Sequence, residues 1–148
     1  MEEQREIQTQ FRQQQERFVY YLIALSVTAI GFSVHKTTGQ QLKWIQFPLG
    51  MSILFWGLSV FCGLRFLKYV LSTLYANNTY FDIKKGRDKK LGNNPHNIEA
   101  AISGLQQAME SNSNTANVYS KWQERFFYSA IILFLIWHIL EMYHVSLK

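Results

Sequence analysis

An all-α integral membrane protein with three transmembrane helices and helical cytoplasmic extensions is the fold class this sequence predicts. Three apolar blocks, set apart by polar and charged stretches, carry that prediction. Trp44 to Leu64 contains no charged residue before Arg65, and at about 1.5 Å per helical residue it covers roughly 30 Å, the thickness of a bilayer's hydrocarbon core. Phe18 to Val34 carries no charge across 17 residues. Phe126 to Val145 carries only Glu141. A mean hydropathy of −0.10 is ordinary for a soluble protein, so the distribution of apolar residues decides the class. Eleven Phe, eight Tyr and four Trp fit a membrane chain with aromatic residues at its interfaces.

Residues 1–17 (2–17 reading EEQREIQTQFRQQQER) form an amphipathic cytoplasmic helix with Ile7, Phe11 and Phe18 on one face, running without Pro or Gly into the first span, 18–34. A cleaved signal peptide fits poorly. The leader is long and mixed in charge, and no A-x-A-like site follows the apolar run. Ala24, Thr28 and Gly31 offer a narrow strip for close helix approach in this span; Gly50, Gly57 and Ser59-x-x-x-Gly63 offer one in the next.

A short outer loop, 35–43, precedes the second span, 44–67, in whose first turns Pro48 is tolerated. Phe66, Leu67, Val70, Leu71 and Leu74 continue at helical spacing past Arg65 and Lys68. The span is therefore expected to leave the membrane as one rod, ended by Asn77-Asn78 and Gly86. Residues 68–125 read as a helical cytoplasmic segment. Asn94-Pro95 opens a helix as N-cap and first helical residue, and Ile98, Ile102, Leu105 and Met109 make one apolar stripe, a candidate oligomerisation face. SNSNT at 111–115 is expected to end that helix; another, begun by Val118, Trp122 and Phe126, leads into the third span, 126–145, and an outer tail, 146–148.

The cations give one consistent threading. Arg5, Arg12 and Arg17 precede the first span, nine Lys or Arg lie from Arg65 to Arg125, Lys36 and Lys43 lie in the short loop, and only Lys148 follows the third span. The positive-inside bias puts the N-terminus in the cytoplasm and the C-terminus outside.

Few residues suggest chemistry. Lys84, Lys85, Arg87, Lys89 and Lys90 surround Gly86; such a cluster binds anionic headgroups or a phosphate ligand, or simply reflects the basic character of cytoplasmic loops. His138, Glu141 and His144 are the one constellation of ionisable groups within a span, with His138 and Glu141 on a shared face, and an intramembrane carboxylate needs a partner, a proton or water. That makes Glu141 and His138, with Gly57 and Gly63, candidates for a pore or gate; an interfacial role near the outer end is the alternative. His144 is turned about 120° from His138, so a metal site is not expected. Cys62 lies inside a span, no Walker A or G-x-G-x-x-G run occurs, and no nucleophile elbow or zincin pattern is present. Neither catalysis, a cofactor nor direct nucleic-acid readout is expected.

With a polar helix before FVYYLIALSVTAIGFSV, a second span continuing as LRFLKYVLSTLYANN, and a helical cytoplasmic segment, the chain resembles the small membrane effectors encoded beside nucleotidyltransferase-like signalling enzymes in bacterial antiphage operons, including SLATT-type and Hailong-type proteins. Its third span departs from the two-span SLATT pattern. The resemblance implies a homo-oligomeric channel or membrane-disrupting effector of the bacterial inner membrane, controlled by a nucleotide signal or by the synthase of that signal. The alternative is a non-conducting anchor whose basic cytoplasmic segment binds a protein partner or anionic lipid.

Overall fold

A computed structural model describes residues 2–39, 44–86 and 95–146, with the side chains of 2–6 and 8 excepted. Its elements are helices α1 (Glu2–Thr37), α2 (Phe47–Lys84) and α3 (Pro95–Ser146), with a single 3-10 turn, Trp44–Gln46, before α2. All three helices are long and apolar enough to cross a membrane. As expected, α1 carries the polar leader and the first apolar block as one helix. Gly39, at φ 82°, follows its end; residues 40–43 of the loop expected on the outer side lie outside the described residues.

Two of the expected breaks do not occur. Helix α2 passes through Asn77 and Asn78, both exposed, and stops after Lys84. Ala76 and Ile83, buried on the packed side of these turns, hold the helix across two poor helix formers, whose propensity deficit is a few tenths of a kcal/mol each. Gly86 provides the stop: its φ of 67° suits a residue without Cβ, while the Lys85 and Gly86 amides donate to the carbonyls of Phe81 and Ile83, each at 3.0 Å.

Helix α3 likewise runs unbroken through SNSNT to Ser146. There, Thr115 Oγ1 donates to the Ser111 carbonyl at 2.9 Å, Asn112 Nδ2 donates to Ser72 Oγ at 3.0 Å, and Ala116 is buried. Polar side chains that compete with a helix when isolated are here occupied by the helix and its neighbour. Pro95 opens α3 as expected; Asn94 and the tail residues 147–148 lie outside the described residues.

The chain forms two compact units, Met1–Leu64 with Ser120–Lys148, and Arg65–Tyr119. In the first, α1, the apolar half of α2 and the apolar half of α3 pack around Leu22, Trp56, Phe127 and Ala130, flanked by Ala29, Ile30, Phe55, Ile131 and Phe134. Rings join the helices: Trp56 meets Phe134 at 5.6 Å between centroids, and Phe55 stacks on Phe126 at 5.8 Å. In the second unit, Tyr69 stacks on Tyr119 at 5.7 Å, and Phe66, Thr73, Ala76 and Ile83 of α2 are buried.

Candidate functional site

The inner faces of the first unit are built at alternating three- and four-residue spacing, the period that keeps a seam facing neighbouring helices. Buried along them are Val19, Leu22, Ser26 and Ser33 of α1; Leu49, Ser52, Trp56 and Ser59 of α2; and Ser120, Gln123, Phe127, Ala130 and Trp137 of α3. Half of these positions are small or polar. Many other large apolar side chains point the other way: Leu25, Val27, Phe32, Leu54, Leu58, Phe61, Ile132 and Ile139 are all exposed. Only 17% to 33% of each helix's apolar window is buried, so hydrophobic burial inside the chain cannot be what the apolar blocks are for.

Gln123 is the centre of the seam and is fully buried. Its Nε2 donates to the Val19 carbonyl at 3.3 Å, and Ser59 Oγ donates to its backbone carbonyl at 3.0 Å, so one residue ties α3 to both other helices. Gly63 lets them approach: a Cβ there would lie 2.7 Å from Gln123 Nε2 and 2.8 Å from Ile23 Cγ1. Ser59→Ala removes one interhelical hydrogen bond and is expected to lower bundle stability by about 0.6 kcal/mol, the average for such bonds in membrane bundles. Denaturation of the detergent-solubilised protein would read that change.

Several buried polar atoms of the seam make no hydrogen bond among the described residues: the hydroxyls of Ser26, Ser33 and Ser52, Gln123 Oε1, and the indole nitrogens of Trp56 and Trp137. Each carries a desolvation penalty that a partner or water would relieve. In contrast, Thr28, on the outer surface of α1, folds its hydroxyl onto the Ala24 carbonyl at 2.9 Å, which makes an exposed Thr compatible with an apolar surrounding.

The residues expected from sequence to form a site are not brought together. Of the pore or gate candidates, Gly63 lies in the seam; Gly57 is exposed with nothing near its Cβ position. His138 is exposed beside the Trp137 ring, at 6.3 Å between centroids, and Glu141 is half-buried. His138 lies fifteen residues beyond Gln123 on one helix, roughly 22 Å along its axis. Lys84 and Lys85 are exposed at the end of α2, where cations complement the helix dipole, and Lys84 Nζ sits 5.9 Å from the Tyr80 ring centroid. Arg87, Lys89 and Lys90 lie outside the described residues. Ile98, Ile102, Leu105 and Met109 are half-buried, so that stripe is already partly covered. The small strip Ala24, Thr28 and Gly31 faces outward, and Ser26, Ala29 and Ser33 take its place in the packing. Among the described residues, no group of three or more His, Cys, Asp or Glu could hold a metal ion.

No protein-family model, curated protein or solved structure matches the chain. The functional reading therefore stands on the seam and on the helices that carry it.

Sequence reasoning missed Gln123 and four of the five buried serines, all but Ser59. A signal was present: Ser26 and Ser33, and Ser52 and Ser59, are each seven residues apart, two turns of a helix and one repeat of a packing seam.

Proposed function

We propose that this chain is a multi-pass protein of the bacterial inner membrane, N-terminus inside and C-terminus outside, whose copies assemble into a channel or pore gated through the cytoplasmic helical segment. The observation that supports it is the mixed interior of the first unit: many large apolar side chains are exposed outside, and among the buried apolar residues runs a line of hydroxyls and an amide oxygen without partners among the described residues. In a bilayer the outer surface meets lipid. The inner polar groups are then turned away from lipid, where they can hold water or an ion's hydration shell. Helices α2 and α3 continue without a break from one compact unit into the other, and so provide the mechanical link by which a cytoplasmic event parts the seam. In an antiphage effector, that event is binding of a nucleotide signal or of its synthase, and the result is loss of membrane potential.

Purified protein in liposomes should pass ions as an oligomer, and induced expression should collapse the signal of a potential-sensitive dye. A tight monomer that passes no ions would overturn the reading. The close approach of Gly63 to Gln123 and Ile23 favours a second reading, a sealed bundle that anchors a binding segment. In that case flux is absent, and exchanging Lys84 and Lys85 for Gln in the full chain weakens retention of a cytosolic partner or of anionic lipid.

A further inference from the structure

Within the second unit, α2 buries one face through Phe66, Thr73, Ala76 and Ile83 and leaves another uncovered. On that second face Leu67, Leu71, Leu74, Asn78 and Phe81 recur at spacings of four, three, four and three residues. Leu71 is 67% exposed, Leu74 46% and Phe81 47%; Asn78 is exposed and Leu67 half-buried. This is the alternation of the two core positions of a coiled coil, with leucine at three of five places and one asparagine among them. A helix packed inside a single chain needs one such stripe, and α2 has two.

We infer that this second stripe is the contact between two copies of the chain, paired in parallel and in register along α2. Asn78 selects the occupant. In an apolar seam its amide is satisfied by an amide at the same level of the facing helix, and a second copy running the same way with no offset places one there while keeping every leucine of the stripe opposite a leucine. Lipid tails offer no amide; Gln14 of the α1 leader, on the face of Ile7 and Phe11, could bring one, and the cross-links below tell that segment from a second copy. The direction agrees with the membrane reading: α2 continues an apolar span, so copies inserted alike in one bilayer present the stripe in the same sense. Arg65 and Lys68 stand at its start, which puts the leucines in water, where exposed they are unfavourable and paired they are buried. The inference rests on the membrane insertion proposed above but not on conductance.

Cysteine cross-linking in native membranes tests it, in a Cys62→Ala background of the full chain. Leu71→Cys, Leu74→Cys and Asn78→Cys should each give a covalent dimer on mild oxidation, because identical positions face each other only in a parallel, in-register pair. Ser72→Cys and Thr79→Cys, on a different side of the helix, should remain monomeric. Cross-linking at one level alone would mean an antiparallel or chance contact; none at any level would mean lipid or another segment covers the stripe; equal cross-linking at Ser72 and Thr79 would mean random collision. Each of these three results overturns the inference. A second variant, Leu71→Asp, leaves the buried face untouched and should shift the detergent-solubilised particle to half its mass or, in a larger assembly, to a smaller one. Flux is measured on the same samples: dimers without flux overturn the channel, and flux without these cross-links overturns the α2 pairing.

Discussion

Gly63→Leu is expected to disrupt the bundle of the first unit, with a loss of about 3 kcal/mol, the upper end of the usual penalty for overpacking a tight core. The Cβ alone would fall 2.7 Å from Gln123 Nε2, 2.8 Å from Ile23 Cγ1 and 2.9 Å from Ile23 Cδ1. Neither neighbour can yield freely. Gln123 is fully buried and bonded to Val19, so moving its amide breaks a link between α1 and α3. Gly63→Ala sets two effects against each other: helix propensity improves by roughly 1 kcal/mol, and crowding costs about 1–3 kcal/mol. Crowding wins, by less than for Leu. Gly57→Leu is the control, since nothing lies within 4 Å of its Cβ position; the gain in helix propensity, under about 1 kcal/mol, is unopposed there, so it should not destabilise the bundle. Titration of the purified protein from mild detergent into SDS, followed by circular dichroism or by the fluorescence of buried Trp56 and Trp137, would rank the variants. Equal effects at 57 and 63 would refute this account of the packing.

The contrast between Gly57 and Gly63 also shows what the sequence could and could not reveal. Apolar length is a property of a window, so the three helices able to span a membrane are legible from the absence of charge in 18–34 and 44–64 and from the single Glu141 in 126–145. The facing of a helix is a property of its neighbours. In α1, Ala24-Thr28-Gly31 and Ser26-Ala29-Ser33 are both narrow strips at helical spacing, and nothing local says which one packs. Thr28 makes the outward choice tolerable by bonding to its own backbone; Ser26 and Ser33 go inward because α2 and α3 come close there.

The missing breaks have the same origin. Asn77-Asn78 and SNSNT are weak helix formers taken singly, but Ala76, Ile83 and Ala116 are buried beside them, and packing outweighs local propensity when the two conflict. Gly86 was readable because a positive φ is a demand that glycine meets in any context. Gln123 was hidden by its company. Between Lys121, Glu124 and Arg125 it reads as the polar edge of a cytoplasmic segment, yet among the described residues it is the most completely buried large polar side chain.

Gln123→Met is the variant in which stability and activity should part. The side chains are close in volume and both unbranched, so little cavity is expected. The substitution removes a hydrogen bond of 3.3 Å, long for an N–H to carbonyl contact and worth about 0.6 kcal/mol by the average for membrane bundles. It also removes an amide oxygen buried without a partner, a burden of about 1–3 kcal/mol. The second effect is larger, so the Met variant should be more stable than the parent by roughly 1 kcal/mol. Gln123→Ala takes away volume as well and should be destabilised by about 2 kcal/mol or more. If the seam conducts, the more stable Met variant passes fewer ions, because it has lost the polar group where Gly63, Ile23 and Gln123 bring the three helices close. A Met variant that is more stable and equally conductive would move the pathway away from this seam, toward the outer faces carrying His138. A less stable one would mean that Oε1 has a partner after all, and that Gln123 serves to hold the helices rather than to hydrate them.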